Sequence, residues 1–394
     1  MNKKTRVTAF PAGFSGCAYW RVRLPMWAVQ RNCPDMSVHI MDGNAYEKDK
    51  LIWAGNNSDL ITMQSPGNWE AVELIKYWRS LSVPVLLDFD DFSWDLSPFN
   101  PRYKDLGLKE VVAETVEGKK WAWKDGFNGF DLKSNVKRFE AFKEACKLAS
   151  GITTTTEYLA DKFRAFNPNV IILPNSIDFG RWKGYPRPDK YKDEIRIGWF
   201  GGDSHYKDLE IIHEQLLEVI NRNKRAKLVL LTPDKWPQLF GKFPQDQVEY
   251  HPWAGLEIYN FILSGMFWDI GLAPIEVNEF GRCKSNIKWL EYSALGVPAV
   301  MTDSLPYNKE VLQGINGICA PNNGFREALE SLINDESGRK AMGEAAYAHT
   351  KSHYDIDVVC HKFREAYQDT CKKESPTGVP EKPGQIKDMI LSKV

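Results

Sequence analysis

Short apolar runs rich in β-branched and aromatic residues alternate with amphipathic stretches along most of the chain. This rhythm is typical of parallel α/β architecture, in which a helix follows each strand and covers the sheet. In the first half it predicts strands at 6–10, 37–41, 60–63, 84–89, 152–155 and 170–173. It predicts helices at about 18–30, 69–81 and 135–149, and from 157 onward. Prolines, glycines and tryptophans interrupt the rhythm at 93–130, which indicates an insertion.

The rhythm begins again at residue 195, after a polar, proline-bearing segment that we interpret as a linker, 183–194. Strands are predicted in this half at 195–200, 227–231, 248–251, 270–273, 299–302 and 317–319. Helices are predicted at about 209–222, 256–264, 286–295, 324–334, 336–352 and 355–372. We therefore expect two Rossmann-like domains, at 1–176 and 190–354. A helix at 355–374 and a loose polar tail at 375–394 are expected to follow them.

Composition narrows the class of protein. The length of 394 residues exceeds what one hydrophobic core usually supports, and the net charge of −1 gives no overall basic excess for nucleic-acid binding. Seven cysteines without a CxxC pair indicate neither a disulfide framework nor a zinc site. The first residues lack the apolar core of a signal peptide, and no apolar run approaches a membrane span. We expect a cytoplasmic protein, with peripheral membrane contact left open.

A doubly wound sheet binds its ligands beyond the carboxyl ends of its strands, so residues that follow strands are the functional candidates. Gly201 and Gly202 follow the strand at 195–200. Glycines let the backbone approach a ligand closely, and N–H groups at the start of the next helix can hold an anion. The alternative is an ordinary turn, and no GxGxxG dinucleotide fingerprint is present.

A second candidate is the loop and helix that follow the strand at 270–273. Lys284 and Lys288 are four residues apart and share a helix face if the helix begins this early. Two cations at a helix amino terminus oppose the helix dipole, but they suit a bound diphosphate. Glu291 falls near the same face, where a carboxylate can accept both hydroxyls of a ribose. The alternative is a solvated helix face with an incidental Lys–Glu pair.

The stretch 279–300 contains Glu-Phe-Gly, Lys-Ser-Asn-Ile-Lys and Leu-Glu-x-x-Ala-x-Gly-x-Pro in succession. It resembles the donor-binding region of group 1, or family 4, glycosyltransferases, in a form frequent among bacterial and phage-encoded members. The resemblance extends over about 170–370. It implies the α/β GT-B fold, in which two Rossmann-like domains face a central cleft and the final helix returns to the first domain. It also implies retention of configuration at the transferred sugar.

The resemblance further implies roles for individual residues. Glu291 would bind the donor ribose, and Lys284, supported by Lys288, would contact the diphosphate. Gly201 and Gly202 would approach the diphosphate from the neighbouring strand end. The basic residues that the family usually carries after this strand are out of register, and His205 and Lys207 are the nearest substitutes. Trp253 would stack on the base, although core packing is equally consistent with its position.

The segment that would face the transferred sugar departs from the family pattern. The resemblance implies that Glu279, Phe280 and Gly281 present a carboxylate and backbone amides to the sugar. Eleven residues separate Glu279 from Glu291 in this chain, more than the family usually has, so Glu276 or Asn278 is an alternative. The predicted donor-binding residues are Gly201, Gly202, His205, Trp253, Glu276, Asn278, Phe280, Gly281, Lys284, Ser285, Lys288 and Glu291.

The first domain supplies candidates for the acceptor side. The glycine turn at 13–16 resembles the acceptor-side loop of these enzymes, and arginines follow it, although a plain turn is an alternative. The carboxylates of 88–91 end a strand and repel one another, so one could have a raised pKa and act on a hydroxyl. Helix capping is the alternative, and a metal is disfavoured because this fold usually neutralises the diphosphate with cations and dipoles. The candidates are Gly16, Arg21 and Trp94 for the acceptor and Asp90, Asp91 and Glu279 for catalysis.

These observations predict a glycosyltransferase that moves a sugar from a nucleoside diphosphate sugar, with a UDP-sugar favoured, to an acceptor hydroxyl. No resident cofactor or metal is expected. The acceptor is open among a glycan, a lipid-linked glycan, a protein and modified DNA, and the net charge disfavours DNA. A nucleotide-sugar epimerase, which uses the same paired domains, and a non-catalytic sugar-binding protein are the alternatives.

Overall fold

The structure is a computed structural model that describes residues 4–42, 45–114, 120–182, 184–233, 236–253 and 255–373. The predicted tail at 375–394 lies outside the described residues, as does one residue of the predicted linker. None of the helices in these ranges combines the length and the apolarity needed to cross a bilayer.

The first domain is built on a parallel sheet with helices on its faces. Its strands are β1 Thr5–Phe10, β2 Met36–Ile40, β3 Leu60–Gln64, β4 Val85–Asp88, β5 Val111–Glu114, β6 Lys120–Trp123, β7 Gly151–Thr154 and β8 Val170–Ile172. Its α-helices are α1 Gly16–Ala18, α2 Leu24–Asn32, α3 Lys48–Asn57, α4 Trp69–Ser80, α5 Tyr103–Leu106, α6 Leu132–Leu148 and α7 Glu157–Arg164. Within the described part of the chain the sheet has six strands in the order β2-β1-β3-β4-β7-β8.

The second domain repeats this architecture. Its strands are β9 Ile195–Phe200, β10 Ala226–Leu231, β11 Val248–His251, β12 Ile270–Ala273, β13 Ala299–Thr302 and β14 Ile318–Ala320. Its α-helices are α8 Tyr206–Glu210, α9 His213–Arg222, α10 Pro237–Phe240, α11 Tyr259–Ser264, α12 Glu279–Arg282, α13 Ile287–Ala294, α14 Phe325–Asn334 and α15 Glu336–Tyr354. The described strands form one parallel sheet in the order β11-β10-β9-β12-β13-β14. Both orders place a topological switch point beside the first strand of the domain, where doubly wound folds bind ligands.

Polar side chains at the helix starts fix several of these elements. Asn68 accepts a hydrogen bond from the Ala71 amide at the start of α4, and Asp131 does so from the Ser134 amide at the start of α6. Thr156 caps α7 as predicted, because its hydroxyl accepts from the Leu159 amide at 3.3 Å. Each cap satisfies an amide that has no partner within its own helix.

The helix predicted at 18–30 is instead divided into three parts. A π-helical turn, Tyr19–Arg23, separates α1 from α2. Both arginines of this turn are buried, so the wider turn directs them into the protein and not toward solvent. π-Helical turns of this kind occur frequently at functional sites.

The insertion at 93–130 folds as a small satellite of the first domain. A short helix, α5, precedes an antiparallel hairpin of β5 and β6. Tyr103, Trp123 and Phe130 form a local apolar cluster there, and Phe280 of the second domain joins it. The insertion therefore touches the loop that the sequence analysis assigned to donor binding.

The last helix, α16 Ile356–Lys373, returns to the first domain as predicted. Its apolar side chains join the core cluster that contains β1 and α2 residues. The Arg364 guanidinium pairs with the Asp35 carboxylate at 2.5 Å, which attaches the helix to the loop before β2. Burial of one apolar face of an 18-residue helix accounts for most of this attachment.

Candidate functional site

A cavity of about 220 Å³ lies between the two domains, at the carboxyl ends of β4, β9 and β12. The first domain contributes Gly16, Cys17, Trp20, Asp90, Asp91 and Asn175 to its walls. The second domain contributes Phe200, Gly201, Gly202, His205, Asp208, Trp253, Leu256, Tyr259, Pro274, Ile275, Lys284, Ser285, Ile287, Lys288, Glu291 and Tyr307. Most of the residues predicted to bind a donor are thus brought together.

Glu291 is a buried acid directed into this cavity. The side chain belongs to α13, the residue is 3% exposed, and Oε1 has no hydrogen-bond partner among the described residues. Burial raises the pKa of Glu291, and the charge of Lys288 opposes that rise. A buried carboxylate oxygen without a donor is unfavourable in the empty protein, so a hydroxyl-bearing ligand would satisfy it.

Lys288 lies beside Glu291 and reaches the end of β9. Its ammonium donates to the Phe200 carbonyl and lies 4.4 Å from the centre of the Phe200 ring. Burial lowers the pKa of Lys288. A Cβ on Gly201 would come within 2.7 Å of the Trp199 ring and 3.2 Å of the Lys288 nitrogen, so this position needs glycine. The backbone of the Gly201–Gly202 turn is thereby left open toward the cavity.

His205 supplies a neutral ring to the same wall. Its Nδ1 lies 2.7 Å from Asp208 Oδ2, and the other Asp208 oxygen accepts from the Glu276 amide at 2.8 Å. Burial, together with the charges of Lys288 and Lys284, lowers the pKa of His205 to about 4. The imidazole is therefore uncharged at neutral pH and can act there through hydrogen bonds but not as a cation.

Lys284 reaches the cavity from a loop and not from a helix. Helix α13 begins at Ile287, so the expectation that Lys284 and Lys288 share one helix face is wrong. The Lys284 ammonium lies over the Phe280 ring at 4.4 Å, and both residues line a small adjoining cavity. The two cations still converge on one cavity, because the loop places the first of them beside the start of α13.

Asp90 and Asp91 form the first-domain wall opposite these cations. They follow β4, whose last residue is Asp88. Burial and the neighbouring Asp91 raise the pKa of Asp90 to about 6. The Asp91 carboxylate accepts from the Ser93 hydroxyl at 2.6 Å. Cys17 lies between Gly16 and these acids on the cavity wall, and the nearby carboxylates raise the pKa of its thiol.

Arg21, which was predicted to bind the acceptor, is not among the residues that line the cavity. Its guanidinium is buried and holds the Asp88 carboxylate through two hydrogen bonds of 2.6 and 3.1 Å. It also donates to the Leu173 carbonyl and to the Asn175 side chain. The reason is the π-helical turn, which directs Arg21 into the first domain, where its charge neutralises the buried Asp88 carboxylate.

Trp94 and Glu279 also lie outside this cavity. Trp94 packs on Phe139 and Phe142 at ring distances of 5.0 and 5.3 Å, and so belongs to the first-domain core. The Glu279 carboxylate lies 2.6 Å from the Lys162 ammonium and accepts from the Tyr158 hydroxyl at 3.0 Å. Glu279 therefore bridges α12 to α7 of the other domain instead of facing the cavity.

The remaining residues of the predicted sugar-facing loop shape the adjoining small cavity. Asn278 caps α12 by accepting from the Gly281 amide at 2.7 Å. A Cβ on Gly281 would fall 2.0 Å from the Glu276 carbonyl oxygen, so the tight turn needs glycine. Glu276 lines the small cavity with Phe280, and burial raises the pKa of its carboxyl group.

Asn175, Tyr259 and Asp208 are among the cavity residues that were not predicted from the sequence. Asn175 donates to the Ser285 hydroxyl at 2.8 Å across the domain boundary. Tyr259 is buried beside Glu291, and Trp253, which is 44% exposed, lies 5.7 Å from its ring. Asp208 orients His205. Their contacts depend on loops that are far apart in the sequence and meet only in the folded chain.

A larger groove of about 600 Å³ also lies between the domains. Its walls include Thr156, Arg282, Lys309, Glu310 and His353 and contain none of the predicted site residues. The buried acid and cations at the end of β9 are in the smaller cavity, and we therefore take the smaller cavity as the candidate site.

Two parallel sheets that face each other across a cavity, with a last helix that returns to the first domain, define the GT-B fold. No protein-family profile and no curated protein matches the sequence.

Solved structures match the fold over nearly the whole chain. HepE of Anabaena in complex with UDP superposes with a TM-score of 0.61 at 13% identity, over 93% of this chain and 100% of the other. Sucrose-phosphate synthase of Thermosynechococcus elongatus gives 0.60 at 10% identity, over 94% and 100%. A Listeria monocytogenes protein assigned as a UDP-N-acetylglucosamine 2-epimerase gives 0.52 at 11% identity, over 95% and 100%. At these identities the likeness establishes the fold and not the reaction.

Proposed function

We propose that this chain is a glycosyltransferase that takes its sugar from a nucleoside diphosphate sugar, with a UDP-sugar as the first candidate. The observation that carries the proposal is the buried Glu291 carboxyl group, whose Oε1 has no donor within the described part of the chain and which lines the same cavity as Lys288 and Lys284. A ribose offers hydroxyl donors to the acid, and a diphosphate offers charge to the cations. Likeness in fold to HepE, solved with UDP, and to sucrose-phosphate synthase supports the choice of donor.

In this proposal each wall has a separate task. Lys284, Lys288 and the open backbone at Gly202 stabilise charge as the diphosphate departs. The neutral His205 ring offers a hydrogen bond to the donor. Trp253 stacks on the base at the cavity mouth. Catalysis then comes mainly from alignment of donor and acceptor and from the fixed charges of the cavity.

The first-domain wall would receive the acceptor. Gly16 and Asp90 lie opposite the donor residues, so an acceptor hydroxyl can approach between them. An Asp90 carboxyl with a pKa of about 6 is largely ionised at neutral pH and is basic enough to hydrogen-bond that hydroxyl and to take its proton as the bond to the sugar forms. Retention of configuration at the sugar is part of the proposal and follows from the family resemblance.

The test is a donor-turnover assay on the purified chain with a panel of nucleotide sugars, screened first by thermal stabilisation. Release of free nucleotide, with the sugar linked to an added acceptor, supports the proposal. Lys284→Ala and Glu291→Ala should abolish turnover, and wild-type activity in both would remove the site assignment. Product analysis by NMR separates the reactions: an epimerised sugar still attached to its nucleotide would identify an epimerase, and binding without turnover would identify a binding protein.

A further inference from the structure

We propose that Cys33, Cys360 and His361, which lie outside the lining of the donor cavity, form a binding site for a divalent ion of the zinc class. The three candidate ligand atoms all lie within 4.8 Å of one another, and Cys33 Sγ lies 3.8 Å from His361 Nδ1. Two ligands of one tetrahedral zinc ion lie roughly 3.5–3.8 Å apart, because Zn–S and Zn–N bonds measure about 2.3 and 2.0 Å. Small shifts of side chains would bring the cluster to that geometry.

The ligand chemistry selects the metal. Thiolate and imidazole ligands suit zinc and copper, whereas calcium and magnesium prefer oxygen. Cys33 and Cys360 are 1% and 0% exposed, while His361 is exposed, so solvent can supply a fourth ligand on the histidine side. Three protein ligands with one open position are a common zinc arrangement.

The neighbouring charges are already balanced. Arg31 pairs with Asp357, and Arg364 pairs with Asp35, on either side of the cluster. Asn32 donates toward Cys360 Sγ at 3.7 Å, a contact that also suits a metal-bound thiolate. The added ion would therefore be neutralised mainly by its own two thiolates and not by surrounding acids.

The site would join two distant parts of the chain. Cys33 follows α2 at the start of the first domain, and the other two ligands lie on α16. No sequence spacing indicates the cluster, because its ligands are 327 and 328 residues apart (360 minus 33 and 361 minus 33). An ion bound here would attach the returning helix to the first domain more firmly than the packing alone.

The direct test is metal titration of the purified full-length chain, treated with chelator and kept under a phosphine reductant. One equivalent of Zn²⁺ should bind and raise the melting temperature, and Co²⁺ as a spectroscopic probe should give thiolate-to-cobalt charge-transfer absorption. Cys33→Ser and His361→Ala should each weaken Zn²⁺ affinity by at least about a hundredfold, since even outer-sphere changes cost 10- to 100-fold. His361→Ala alters an exposed side chain, so it keeps the test interpretable if Cys33→Ser fails to fold.

Cys371→Ser and His353→Ala are matched controls, because they change the same residue types outside the cluster and should bind Zn²⁺ as the wild type does. The absence of stoichiometric Zn²⁺ binding would overturn the proposal. So would binding that both cluster variants retain, or a Cys33–Cys360 disulfide that persists under the reductant.

Discussion

The side-chain amide of Asn175 donates a 2.8 Å hydrogen bond to the Ser285 hydroxyl, and this bond crosses the boundary between the two domains. The carbonyl of the same amide accepts from the buried Arg21 guanidinium at 3.1 Å. Asn175 therefore connects an ion pair under the first sheet to the loop that carries Lys284. The position of Lys284, which we propose contacts the diphosphate, thus depends on hydrogen bonds made inside the first domain.

Asn175→Ala removes both hydrogen bonds and should lower the free energy of unfolding by about 1–2 kcal/mol. It should also weaken nucleotide binding, because the loop at Ser285 loses its attachment. Urea denaturation and calorimetric titration with UDP measure the two effects. Ser285→Ala is the control, since it spares the Arg21 contact and should cost less stability. An unchanged free energy of unfolding in Asn175→Ala would show that the hydrogen bond between the domains does not contribute to stability.

Glu291→Gln tests the buried acid in the proposed donor site. Replacement of one carboxyl oxygen by an amide removes a proposed acceptor for a ribose hydroxyl and should reduce UDP affinity about 2- to 10-fold, because a typical hydrogen bond contributes about 0.5–1.5 kcal/mol. The melting temperature should not fall, because Glu291 Oε1 has no hydrogen-bond partner among the described residues that the change could remove. Titration calorimetry with Glu279→Gln as the control checks this. Equal losses of affinity in both variants would contradict the assignment.

Asp90 should make stability depend on pH in a defined window. Its pKa is raised from about 3.9 in unfolded chains to about 6 in the folded chain, so the folded state binds more protons between these values. Stability contributed by Asp90 is therefore complete below about pH 4 and declines as the pH rises to about 6.

Asp90→Asn should consequently stabilise the protein at pH 7.5 by on the order of 2 kcal/mol and leave it nearly unchanged at pH 4. Urea melts at both values, with the exposed Asp49→Asn as the control, measure the difference. The transfer rate of the wild type should also fall below about pH 6 if Asp90 takes the acceptor proton. A constant difference between variant and wild type across this range would refute the proposed ionisation.

Arg21→Met tests whether Arg21 stabilises the fold or binds the acceptor. It leaves the buried Asp88 carboxylate without its cation and should cost about 3–5 kcal/mol of stability. The double variant with Asp88→Leu should recover much of that loss, as replacement of a whole buried pair often does. An acceptor-binding role would instead raise the KM for acceptor and leave urea denaturation unchanged.

Trp253→Ala tests base stacking at the cavity mouth. The side chain is 44% exposed, so its loss should leave the melting temperature almost unchanged. Nucleotide affinity should fall by about 1–3 kcal/mol, the usual cost when an aromatic partner of a base is removed. Trp27→Ala, at a comparably exposed tryptophan on α2, should leave UDP binding unaltered. An equal effect of the two variants on UDP affinity would exclude stacking by Trp253.

The sequence predicted the fold well, since hydrophobic periodicity records burial directly: all six strands of each sheet were expected near their observed positions. It did not predict α3 or the β5–β6 hairpin, because neither carries a long apolar stripe. Motif spacing also placed Lys284, Lys288 and Glu291 in one cavity. It did not indicate that Arg21 and Glu279 lie outside that cavity, because their side-chain directions depend on a π-helical turn and on a partner from the other domain.

The ion pair between Asp35 and Arg364 joins residues that stand 329 positions apart. Asp35 is synthesised long before Arg364, so the packing of the first domain is incomplete until α16 has also been synthesised. During that interval the apolar side of α2 that α16 later covers is exposed to solvent or bound by a chaperone. Removal of the segment from 356 onward would make this delay permanent, and the truncated product should accumulate in aggregates although both sheets are intact.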